Sequence, residues 1–85
     1  MRTENCVKGW VELMVNGFTK ENGKLFANSC HAEGEIFISY STPIAKFCGD
    51  HFELAKKKYS VTTSKQQTYL RRHIPNGMLL EVDHI

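Results

Sequence analysis

Eighty-five residues, 41% hydrophobic and 24% charged, suffice for one small globular domain over residues 1–85 and leave no room for a second core. This composition excludes a disordered tail, and apolar runs of only a few residues exclude a membrane-spanning helix, which needs roughly 20. The formal net charge of +2 conceals an asymmetry: residues 1–53 hold five Lys or Arg against seven Asp or Glu, whereas residues 54–80 hold six basic residues and no acid.

In chain order, Val7, Trp10, Val11, Met14 and Val15 recur at i, i+3, i+4, i+7 and i+8, which predicts an amphipathic helix over residues 6–16. Thr3 or Asn5 is placed to cap its start, and Gly17 falls where a left-handed glycine closes a helix. Residues 18–24 are a polar connection that turns at Asn22-Gly23, and a strand is predicted over residues 25–28. Residues 29–35 read as a loop carrying Cys30, His31 and Gly34. Ile36, Ile38 and Tyr40 then alternate with Phe37 and Ser39, the period of a strand with both faces partly covered. Pro43 cannot donate to a ladder and is expected at a strand edge or between two strands. Residues 44–47 and 52–54 flank Gly49-Asp50, a two-residue hairpin turn.

Residues 59–74 open as a β-branched run and continue with helical period, so a strand is expected to hand over to a helix there. Ser64 with Gln67 fits a capping box, and Thr63 with Gln66 is the alternative one residue earlier. Tyr69, Leu70, His73 and Ile74 share one side of this helix, and Lys65, Thr68, Arg71 and Arg72 lie largely on the other. Pro75 ends it, Asn76-Gly77 turns the chain, and residues 78–82 form a last short strand. Strands and helices do not alternate as in βαβ units. The expected class is therefore α+β: a small antiparallel sheet of four to five short strands, packed with an N-terminal and a C-terminal helix.

Cys6, Cys30 and Cys48 are three cysteines at unrelated spacings, which argues for reduced thiols rather than a disulfide framework. Met1-Arg2-Thr3-Glu4 does not open a secretory signal, so a cytoplasmic setting is expected. Cys30, His31, Cys48 and His51 are of zinc-binding types, but Cys30-His31 are adjacent, which hinders joint ligation of one ion; no metal and no cofactor is expected. Cys48, Asp50 and His51 contain the types of a nucleophilic triad on one tight turn, where no buried cleft can form around them. No glycine-rich phosphate loop is present, and no enzyme is expected. The residues expected to meet a protein partner or nucleic acid are Lys56, Lys57, Lys58, Lys65, Thr68, Arg71 and Arg72, since a basic field draws phosphates or an acidic protein surface.

The run Ser-Tyr-Ser-Thr-Pro-Ile-Ala at residues 39–45, followed by Tyr-Ser-Val-Thr-Thr-Ser-Lys at 59–65 and Tyr-Leu-Arg-Arg at 69–72, resembles a small domain family of unknown function common in bacteriophages, prophages and plasmids. The resemblance spans residues 25–73; at Gln66 and Gln67 the chain carries glutamine where His or Asn would be expected. It implies a mobile-element origin and the cytoplasm of a bacterial host, and supplies no catalytic residues. The expected function is that of a non-enzymatic accessory protein, monomeric or homodimeric. It would inhibit a host defence machine, such as a CRISPR effector or another nucleoprotein effector, by protein–protein contact. Direct binding of DNA or RNA through the basic helix is the alternative. Should the basic helix not be the contact, the sheet surface around Phe37 and Phe52 or the loops at His31 and His51 would take its place.

Overall fold

A computed structural model describes residues 2–17 and 24–85. Helix α1 (Thr3–Val15) is followed by strands β1 (Lys24–Phe26), β2 (Cys30–Glu33), β3 (Ile36–Ser39), β4 (Thr42–Phe47) and β5 (Phe52–Ala55). Helix α2 (Val61–His73), a 3₁₀ turn (Asn76–Met78) and strand β6 (Leu79–Val82) complete the chain. The strands form one sheet in the order β1-β2-β3-β4-β5-β6, antiparallel throughout except that β6 pairs parallel to β5. The α+β class is as expected, with six strands among the described residues rather than four to five. The expected turn at Asn22-Gly23 lies outside the described residues.

Helix α1 forms where its stripe predicts. Cys6, Val7, Trp10, Val11 and Met14 are buried, while Val15 at its end is exposed. Gly17 takes the left-handed conformation (φ +73°) that ends the helix without a Cβ clash. Neither Thr3 nor Asn5 caps the start; Arg2 occupies that position, and its side chain makes no capping bond. Trp10 is the centre of the core: its ring lies 5.4 Å from Phe37 and 5.3 Å from Phe52, and its indole N–H donates to the Gly34 carbonyl at 2.8 Å. One bond thus satisfies the only polar atom of a fully buried tryptophan. Phe37 and Phe52 are buried beneath it and offer no exposed surface, which corrects their expected place on the outer side of the sheet.

Three local readings are corrected. Cys30–Glu33 is a strand rather than a loop, because β1 and β3 pair with it on both sides, Leu25 opposite Ala32 and Ala32 opposite Phe37. Pro43 lies inside central strand β4, opposite Ile38, at a register shift. The bulge provides a position where a residue without an N–H breaks no ladder bond. The β5–α2–β6 segment is a crossover between parallel strands, a connection that needs a dozen or more residues and is made here by α2. The Gly49-Asp50 hairpin forms as expected, with Cys48 N–H donating to His51 carbonyl at 2.8 Å and Gly49 at φ +95°. No helix among the described residues is long and apolar enough to cross a membrane.

Candidate contact surface at the start of α2

The first turn of α2 is made by hydroxyl groups. Ser60, in extended conformation, is the N-cap: its Oγ accepts from the Thr63 amide at 3.1 Å. The helix therefore starts four residues before the expected Ser64 cap, and Val61, Thr62 and Thr63 are helical rather than strand. Gln66 and Gln67, expected to complete a capping box, are instead buried ties. Gln67 Nε2 donates to the carbonyls of Ala55 at 2.7 Å and Lys57 at 3.0 Å, holding the end of β5 against α2. Gln66 Nε2 donates to Ser29 Oγ at 3.0 Å, joining the helix to the entry of β2. The two positions where the sequence departs from the resemblance thus carry packing.

Thr63 Oγ1 also lies 2.8 Å from Ser39 Oγ, a buried contact between α2 and the end of β3. This bond brings together the two segments that stood apart in the sequence, residues 39–45 and 59–65. Ser39, Tyr40, Thr42, Tyr59, Ser60 and Thr63 line a shared open pocket of about 380 Å³. Tyr40 is held at φ +56°, a left-handed conformation that costs a non-glycine residue about 1–2 kcal/mol. Its amide is bonded to the Ser29 carbonyl at 2.9 Å, which fixes the turn. Tyr40 is 59% exposed and Tyr59 36%, and both line this pocket; Val61, next to Ser60 in the chain, is 78% exposed. Lys57 Nζ lies 5.6 Å from the centre of the Tyr59 ring.

The predicted basic residues fall on the lead-in to α2 and along its outer side, but acids from elsewhere meet half of the charges. Arg71 binds Glu81 at 2.9 Å, Arg72 binds Glu4 at 3.0 Å and Lys56 lies 3.6 Å from Asp83. Lys57, Lys58 and Lys65 are exposed and carry no ion pair among the described residues, and Thr68 donates to the Ser64 carbonyl of its own helix. Hydrogen bonds from His73 and then from Arg72 hold the Glu4 carboxyl below its ordinary value. The four zinc-type residues are divided. Cys30 pairs with Ser39 at one end of the sheet, whereas the Phe47 amide bonds to the Glu35 carbonyl and places Cys48 and His51 at the other. Cys30 is buried, and the neighbouring Cys6 thiol together with that burial raises the pKa of its own thiol. His31 stacks on Phe26, with ring centres 5.7 Å apart. Tyr40 and Val61 were not among the expected contact residues; the hydroxyl-rich motifs were the available signal, but their convergence needs the sheet.

A family model, described as a family of unknown function (DUF8033), matches residues 6–76. The chain belongs to that family. The match takes in both hydroxyl-rich segments and the hairpin between them, and ends before β6. No curated protein and no solved structure matches the chain.

Proposed function

We propose that this DUF8033 domain is a mobile-element accessory protein that works as a non-enzymatic binding module, contacting a protein partner through the Tyr40, Tyr59 and Val61 surface. The observation that carries this reading is the exposure of Tyr40 and Tyr59 at a hydroxyl-lined pocket built from two distant segments, with exposed Val61 next to Ser60 in the chain. Tyrosine gives large contact area with few rotatable bonds, and serine and threonine give adaptable hydrogen bonding, the chemistry of protein-recognition surfaces. The left-handed Tyr40 adds to this, since a strained bulky residue persists where the surroundings over-determine it, as at binding sites. A bacterial host defence machine, such as a CRISPR effector, is the target class that a mobile-element origin favours.

The charge arrangement weighs against the nucleic-acid alternative. With Arg71, Arg72 and Lys56 each facing an acid, the basic helix offers phosphates a weaker field than the sequence suggests. The test compares two variants in capture from a bacterial host extract and in titration with labelled duplex DNA and structured RNA. Tyr40→Ala with Tyr59→Ala should abolish capture of a single dominant protein, and Arg71→Glu with Arg72→Glu should retain it, with nucleic acid unbound near physiological salt. Capture that survives loss of both tyrosines, or nucleic-acid binding that weakens steeply with salt, would overturn the reading.

A further inference from the structure

The tip of the β4–β5 hairpin gathers a second set of groups, independent of the tyrosine surface. Phe47 and Phe52 pair across the hairpin with their rings in contact at 4.7 Å, Phe52 in the core beneath Trp10. Alternation of side chains along each strand then sends the pairs on either side, Lys46 with Glu53 and Cys48 with His51, to the opposite face. Cys48 Sγ, a His51 ring nitrogen and a Glu53 carboxylate oxygen lie within 4.8 Å of one another.

We propose that Cys48, His51 and Glu53 are three ligands of a zinc-ion site at this tip, with Asp50 orienting His51 and solvent completing the coordination. Asp50 Oδ1 lies 2.6 Å from His51 Nδ1, which leaves Nε2 as the ligand atom, 3.6 Å from Glu53 Oε2. Bonds of about 2.0–2.3 Å in a tetrahedral zinc site put neighbouring ligand atoms about 3.3–3.8 Å apart. The His51–Glu53 edge therefore has its final length already, and the exposed Cys48 thiol, within 4.8 Å of the other ligand groups, can close on an ion by side-chain rotation. A carboxylate on the far nitrogen of a ligand histidine is the usual outer support of zinc sites. The two oxygens of Glu53 have separate partners, Oε1 facing Lys46 Nζ at 3.7 Å and Oε2 facing His51. Glu53 can thus bind one cation while still paired with another. Thiolate with imidazole selects zinc or a similar borderline ion over magnesium or calcium, which take oxygen ligands.

Cobalt(II) titration of the full reduced chain, with a phosphine as reductant, tests the site. A thiolate-to-cobalt charge-transfer band should saturate at one equivalent and be displaced by zinc. Cys6 and Cys30 are buried, so the band reports on Cys48. Cys48→Ser should abolish it, and Asp50→Asn should weaken cobalt affinity about 10–100-fold. Trp10 fluorescence verifies that each variant is folded. Absence of the band, its persistence in Cys48→Ser, or an unchanged midpoint in His51→Ala with Glu53→Gln would overturn the proposal; the last result would mean an isolated thiol collecting metal.

Discussion

Ser60 illustrates how a single residue's role depends on what surrounds it. Spacing favours Ser64, which Gln67 follows at the capping-box interval, over Ser60, which Thr63 follows. The decision comes from Gln67, drawn away by the Ala55 and Lys57 carbonyls, and from Thr63, whose hydroxyl bonds to Ser39 when residue 63 sits in the first turn. Ser60→Ala should therefore lower stability by about 1 kcal/mol, the worth of an N-cap, whereas Ser64→Ala should leave the thermal midpoint nearly unchanged. A thermal melt of both variants checks this; equal losses would contradict the assignment. Gln67 carries a different cost, since its amide bonds to two backbone carbonyls at the end of β5 and the lead-in to α2.

Between elements, the contact most open to test joins the start of α1 to the end of α2. Glu4 accepts from both Arg72 and His73 at 3.0 Å, with the two helices in contact. Arg71 and Arg72 in the last turn of α2 also suit the negative end of its dipole. The Glu4 carboxyl is held below its ordinary value of 4.5 in the folded chain, so its stabilising contribution is present above that value and lost as pH falls through the lower, folded one. Wild-type protein should melt slightly above Glu4→Gln at neutral pH. The difference should vanish in acid, as read by thermal melts across that range. A gap that grows on acidification would contradict the linkage. The exposed setting keeps the effect small.

Across the whole molecule, six strands carry both helices on one face, with Trp10 at the junction of α1, Phe37 and Phe52. The hairpin tip that gathers Cys48, His51 and Glu53 is closed by its own backbone bond and lies outside this core. A strong chelator should leave the thermal midpoint of the reduced chain nearly unchanged, as followed by Trp10 fluorescence. Large loss of stability on chelation would make the metal a structural staple rather than a surface ligand.

The amino-acid sequence by itself determined the features that depend on neighbours a few residues away. The apolar stripe of α1, the left-handed Gly17, the Gly49-Asp50 hairpin and the buried Leu70 and Ile74 of α2 all follow from local spacing and backbone freedom. Tertiary structure decided whatever needs a partner distant along the chain. Cys30–Glu33 becomes a strand because two others flank it, and residues 79–82 pair in parallel because α2 returns them to the same side of β5. Glu4, Glu81 and Asp83 temper a basic segment that contains no acid of its own. The candidate surface belongs to the same group. Its residue types were visible as two hydroxyl-rich runs, but Ser39 and Thr63 are 24 positions apart, and only pairing of β3 with its neighbours and docking of α2 join them.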